Sequence, residues 1–212
     1  MAALADGGLA GGVARAAGHM NGIRDLVKAI FIEAGMPDSS IVYEPFLPGY
    51  YRARKRWDMA VFYKDSLVAA IEFKSMVGSV GKNINNRFEE ALGSATDTWA
   101  AQQKFAAYGE IPPWFGYVFV LREDEETERP GRPTDALFGT DPAFEGMSYS
   151  QRYQEMLNRF LRDNIYQAGW FITTKVDPEG RVLFAEPLMT ASGAAFRVMV
   201  EGRVNYIRKV LG

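Results

Sequence analysis

Cysteine is absent from the 212 residues, which removes disulfides, cysteine-ligated zinc and thiol catalysis at once. Histidine is nearly so. His19 stands alone beside a Gly/Ala-rich start, and a surface histidine is expected there. Serine triads, HNH-type chemistry and His-rich metal sites therefore lack their usual base or ligand. No run reaches about 18 apolar residues, and no basic stretch leads into an apolar one near the start. Neither a membrane span nor export is expected, and the cytoplasm is the expected compartment. Charge of one sign is also missing: 24 Lys and Arg against 26 Asp and Glu leave a net −2. That balance gives no global attraction for nucleic acid, so any such binding must come from local patches.

What is present suits one packed domain, since 48% of the residues are hydrophobic and 13% aromatic. Residues 1–18, rich in Ala and Gly without apolar periodicity, read as a loosely ordered arm, and 19–212 as a single domain. Ile23, Val27, Ile30 and Phe31 recur at helical spacing up to a stop at Gly35. Ile41 to Phe46 then reads as a first strand. Phe88, Ala91, Leu92, Ala95 and Trp99 give a second helix an apolar face, and Trp114 to Leu121 reads as a strand buried on both sides. After a charged, proline-punctuated loop at 122–133 come a helix from Ser148 to about Ile165, a hairpin turning at 177–180, and a basic terminal helix. The order is that of an α/β core.

The chemistry concentrates between Trp57 and Lys74. Two apolar runs, Trp57 to Tyr63 and Leu67 to Phe73, flank Lys64-Asp65-Ser66 as a hairpin does. With those three residues as the loop, paired positions sum to 130 and Asp58 faces Glu72, their Cβ atoms about 5 Å apart. Lys74 shares that face because strand side chains alternate. Facing carboxylates repel, so a cation between them is the natural way to make the arrangement tolerable, and oxygen ligands suit a hard ion such as Mg²⁺. An acid, any residue and a lysine also arise by chance about once in a chain of this size. Here the triplet occurs once, inside the most apolar strand of this half.

Two polar segments flank the hairpin. Arg52, Arg54, Lys55 and Arg56 form the only dense basic cluster; it reads either as a solvated edge or as a phosphate-contacting surface, and its aromatic neighbours favour the second. Lys82, Asn83, Asn85, Asn86 and Arg87 read as a donor-rich loop opening a helix, serving as turn and cap or as base-reading groups. Gly81-Lys82 is not a phosphate-cradling loop, because Met76 and Asn83 stand where that motif needs Gly and Ser/Thr.

Asp58 followed by Glu72-Phe73-Lys74 on the next strand resembles the PD-(D/E)xK nuclease superfamily, with Trp57 at the proline position. The wider stretch is similar to the XhoI family of type II restriction endonucleases. It comprises Pro48 to Arg52, Lys55 to Asp58, Leu67 to Ser75 and Asn85 to Ala95. The resemblance implies a restriction-endonuclease-like core, a central mixed β-sheet with a catalytic β-hairpin flanked by helices. It further implies a Mg²⁺-dependent homodimer cutting both strands of duplex DNA at a palindrome, in this family CTCGAG, to leave 5′ overhangs. Asp58, Glu72 and the backbone carbonyl of Phe73 would hold the metal, and Lys74 would orient and activate the attacking water. Glu33, Glu44, Glu89 and Glu90 are candidates for a further metal contact. A structure-selective or repair nuclease, or a non-catalytic DNA-binding module, are the competing readings.

Overall fold

A computed structural model describes residues 8–78, 80–131 and 137–212, with side chains from Met20 onward. Its elements in chain order are α1 (Gly8–Glu33), β1 (Ile41–Tyr43), β2 (Phe46–Pro48), β3 (Arg54–Arg56), β4 (Met59–Tyr63), β5 (Ser66–Met76) and α2 (Val80–Phe105). They continue with β6 (Phe115–Arg122), α3 (Glu125–Glu128), α4 (Tyr149–Arg162), β7 (Ala168–Val176), β8 (Val182–Ala185) and α5 (Gly193–Leu211). Six strands form one mixed sheet in the order β1-β4-β5-β6-β7-β8. The β5-β6 and β6-β7 pairs are parallel, and the other three are antiparallel. β2 and β3 make a separate two-stranded ribbon.

Strand periodicity builds both layers. Along β6, Phe115, Tyr117, Phe119 and Leu121 face one side with Tyr153, Leu157 and Phe160 of α4 and Ala91 and Ala95 of α2. The opposite side of the sheet, through Met59, Val61, Ile71, Phe73 and Val118, packs on Val27, Ile30 and Phe31 of α1 and Phe196, Val200 and Val204 of α5. Their three-to-four spacing is the one that brings a single helical face onto a sheet. β5 is covered on both faces, so its central residues are buried whichever way they point.

The helix ends follow from local chemistry. Gly35 closes α1 with φ +109°, while its N–H and that of Met36 donate to Ile32 and Phe31 carbonyls; this left-handed cap is the stop read from the sequence. α4 opens with Ser148 and Gln151 capping each other's backbone.

Several boundaries differ from the sequence reading. α1 takes in residues 8–18 of the expected arm, since its alanines support a helix despite the glycines; residues 1–7 and the His19 side chain lie outside the described residues. The expected first strand breaks after Tyr43, where Glu44 adopts φ 56° and Pro45 follows. Lys82 to Arg87 is not a loop but the first turns of α2. The charged segment after β6 contains the short α3, capped by Asp124 and Thr127, and residues 132–136 lie outside the described residues. Among the described residues no helix is long and apolar enough to cross a membrane.

Candidate active site

The hairpin that carries the acids turns on two residues rather than the expected three. Lys64 and Asp65 both have positive φ, 46° and 59°, the conformation of a tight type I′ turn whose twist matches the strands. Tyr63 consequently pairs with Ser66 and Phe62 with Leu67, a sum of 129 that would carry the acids to opposite faces if it persisted. A bulge prevents this. Between Phe62 and Val61 the register shifts by one, and Val68 and Ala69 both turn to the α1–α5 side. From there Val61 pairs with Ala69, Ala60 with Ala70 and Met59 with Ile71, a sum of 130. Asp58, Glu72 and Lys74 therefore share the α2–α4 side, as the sequence reading requires.

At the open end of β4, Asp58 Oδ2 accepts a hydrogen bond of 2.7 Å from the Phe73 backbone N–H. Residue 70 bonds towards β6 through its N–H to Trp114, so the odd-numbered residues of β5 direct their peptide groups towards β4. The Phe73 carbonyl thus belongs to the same edge as the Asp58 carboxylate. Glu72 is only 4% exposed and pairs in parallel register with Tyr117, yet it is well neutralised. Lys74 Nζ lies 2.5 Å from Glu72 Oε1, and Lys55 Nζ lies 2.6 Å from Oε2. Lys55 also donates to the Arg56 carbonyl at 3.1 Å and sits 4.6 Å above the Trp57 ring, which is itself buried and stacked on Phe115. Trp57 thereby anchors the segment that delivers Asp58.

Burial, and then the neighbouring Glu72 charge, push the Asp58 carboxyl above its ordinary range, against the Phe73 N–H and both lysines. A raised pKa in the folded state means that Asp58 favours folding at low pH. That contribution is lost as pH rises from the ordinary aspartate value through the folded one. Asp58→Asn keeps the acceptor for Phe73 and removes the charge. It should stabilise the metal-free protein at neutral pH by about 1 kcal/mol, a few degrees in Tm, with the difference shrinking on acidification. Thermal melts across pH 4 to 8 check this, and a lower Tm at neutral pH would contradict it.

The donor set fits a hard divalent ion. Two carboxylates and one carbonyl at one strand edge leave room for water and phosphate oxygens, the mixture that Mg²⁺ takes in phosphate chemistry. Two ammonium groups already stand where positive charge is required. Among the described residues no group of three or more His, Cys, Asp or Glu gathers. The additional acids are engaged elsewhere: Glu33 with Arg197, Glu44 with Arg56, and Glu90 with Arg87. Glu89 is exposed on α2.

The polar candidates separate. Arg52 Nε lies 2.7 Å from the buried Asp97 of α2, and its Nη2 donates to the Gly93 carbonyl, so Arg52 ties the loop before β3 to the helix. Arg54 lies over the Phe46 ring at 4.4 Å and is exposed, as is Arg56. Lys82, Asn85 and Asn86 are exposed and Asn83 is half-buried, whereas Arg87 turns inward, with Nη1 2.7 Å from Glu90 and a buried Nε. Asp97 was not singled out from the sequence; an acid in the middle of an amphipathic helix on the buried side was the available signal.

Comparison with known proteins places the chain in a family. The family profile described as restriction endonuclease XhoI matches residues 2–185. The chain is 32% identical over 177 residues to the type II restriction enzyme BstVI of Geobacillus stearothermophilus, covering 80% of this chain and 79% of that one. It is 36% identical over 148 residues to the type II restriction enzyme XhoI of Xanthomonas vasicola, covering 68% and 60%. With the type II restriction enzyme AbrI of Azospirillum brasilense it shares 40% identity over 112 residues, covering 49% and 50%. The matched part thus spans less than two thirds of the latter two relatives. No solved structure matches.

Proposed function

Since the chain belongs to the restriction endonuclease XhoI family, we propose that it is a Mg²⁺-dependent type II site-specific deoxyribonuclease of PD-(D/E)xK type. It hydrolyses phosphodiester bonds in both strands of duplex DNA at a palindrome, CTCGAG, and leaves 5′ overhangs. The observation that carries this reading is the bulged hairpin, which delivers Asp58, Glu72 and Lys74 to one side of an otherwise apolar sheet.

Asp58, Glu72 and the Phe73 carbonyl would hold the metal, which when bound would supply Lewis-acid polarisation of the scissile phosphate and a more acidic water. Lys74, fixed 2.5 Å from Glu72, orients the attacking water and stabilises the charge that develops on phosphorus-bound oxygen. No histidine is needed for any of these roles. A palindrome presents the same bases twice about a two-fold axis, so a homodimer reads it with identical elements in each half-site. Asn85 and Asn86, exposed on the first turns of α2, reach base edges together with Lys82 and Asn83, and Arg87 joins them once released from Glu90; Arg54 and Arg56 hold phosphates, with Arg52 bracing their ribbon.

Digestion of a plasmid with one CTCGAG site in Mg²⁺, with end sequencing, tests the proposal. One linear product with 5′ overhangs is expected. A smear would indicate a structure-selective nuclease, and intact plasmid a binding module. Salt dependence distinguishes the contact groups: an Asn86→Ala change should relax choice at one position at about 1 to 3 kcal/mol. Arg54→Ala should weaken all sequences alike and flatten the salt slope. The reverse pattern would exchange the assignments.

A further inference from the structure

We propose that Lys55 is a built-in counter-cation of the metal site, which holds Glu72 in the metal-free protein and must be displaced for a divalent ion to bind. The inference rests on the reading of Asp58 and Glu72 as metal ligands, and it concerns a residue that the sequence places only in the basic, phosphate-contacting cluster.

Three observations carry it. First, both Glu72 oxygens are taken: Oε1 by Lys74 at 2.5 Å and Oε2 by Lys55 at 2.6 Å. A Mg²⁺ ion bonds a carboxylate oxygen at about 2.0 to 2.1 Å. An ammonium at hydrogen-bond distance from that same oxygen would face the ion across a gap where unit charges interact strongly. Release of one of the two lysines opens that oxygen to the ion and removes the repulsion.

Second, the two lysines differ in how they are held. Lys74 stands two residues from Glu72 on the same buried strand, so its approach is set by the sheet. Lys55 arrives from β3, in the separate two-stranded ribbon. Beyond Glu72, its ammonium has the Arg56 carbonyl, the face of Trp57 and the neighbouring Asp58 charge. A flexible four-carbon stem whose base lies outside the six-stranded sheet is the part that can swing away, and a compact ammonium readily changes partners.

Third, the charges balance without metal. Asp58 and Glu72 against Lys55 and Lys74 sum to zero when all four are charged. A divalent ion would leave an excess of two positive charges at the strand edge. Departure of Lys55 relieves half of that excess and frees an ammonium beside the ribbon that carries the exposed Arg54 and Arg56. A DNA phosphate arriving there supplies the new partner, so substrate and metal binding reinforce each other through one side chain.

The test is Mn²⁺ affinity of the full chain without DNA, read by isothermal titration calorimetry, for the unaltered protein, Lys55→Met, Lys55→Arg and Asp58→Ala. Lys55→Met should bind Mn²⁺ about tenfold more tightly. Lys55→Arg, which keeps the charge, should stay within about twofold of the unaltered protein. Asp58→Ala should abolish the site. A gain in affinity cannot come from misfolding, which would weaken binding. Unchanged or weaker binding by Lys55→Met, with loss in Asp58→Ala, overturns the role of Lys55 and leaves the metal ligands standing. Binding that survives Asp58→Ala overturns the ligand assignment and, with it, the displacement.

Discussion

Glu72→Gln should lower the rate of DNA cleavage by about a thousandfold or more, roughly 4 kcal/mol at the transition state, while DNA affinity is kept or raised. The amide removes half of the carboxylate charge available to the metal and the anchor that fixes Lys74. It also removes negative charge from a surface that must accept phosphate. Stability should change in the direction opposite to that of Asp58→Asn. Lys55 and Lys74 are both paired with the buried Glu72 carboxylate, and without it two ammonium groups face each other at a largely enclosed edge. Breaking such a pairing by removing one partner costs about 3 kcal/mol. Chemical denaturation and single-turnover cleavage, measured on the same preparation, check both halves. Cleavage within tenfold of the unaltered enzyme would remove Glu72 from the site; an unchanged stability would mean that the lysine pairs contribute little.

Asp97→Ala should destabilise the protein by about 3 kcal/mol although it lies outside the proposed chemistry. Its carboxylate, 4% exposed, accepts the Tyr50 and Tyr51 backbone N–H groups at 2.9 and 2.7 Å and Arg52 Nε at 2.7 Å. Burial alone would raise this carboxyl, but the Arg52 pair and the two backbone donors outweigh it and hold the group below its ordinary value. A depressed pKa means that Asp97 stabilises the fold at neutral pH. That contribution disappears as pH falls below the ordinary carboxylate value near 3.8 and through the folded one. Removing it leaves two backbone donors and an arginine without their acceptor, and frees the loop that leads into β3. Since β3 carries Lys55 and Arg54, cleavage should fall about tenfold as well. Gly49→Ala offers an independent route to the same result, because a Cβ there would stand on Asp97 Oδ2. Urea melts at pH 7 and pH 3.5 distinguish the outcomes: a loss under 1 kcal/mol at pH 7 would show that the clasp is dispensable, and an equal loss at both would show that it does not depend on the carboxylate charge.

The sequence by itself determined which residues could share a face. Alternation along Leu67 to Lys74 places Glu72 with Lys74, and the three-to-four spacing of Val27, Ile30 and Phe31, or of Phe88, Ala91 and Ala95, selects one side of each helix. Gly35 and Ser148 mark helix ends through chemistry contained within a few residues. These are statements about neighbours in the chain, where geometry repeats and few alternatives compete. The Asn-rich segment was misassigned as a loop because caps and first helical turns favour the same residues.

Tertiary structure decided the rest. Asp58 faces the Glu72 side only because a two-residue turn is compensated by a bulge at Val68, which interrupts the alternation for one residue. The choice depends on how Met59, Val61 and Ile71 fit against α1 and α5, a packing interaction that strand periodicity does not encode. Lys55 was legible as a cation in a basic cluster, but its partner lies 17 residues away, and Arg52 and Asp97 are 45 apart. Ion pairs of that kind form where separate elements happen to be brought together. Their partners are therefore fixed by the layers of the fold, which bury Glu72 and Asp97 and leave each with one set of donors within reach.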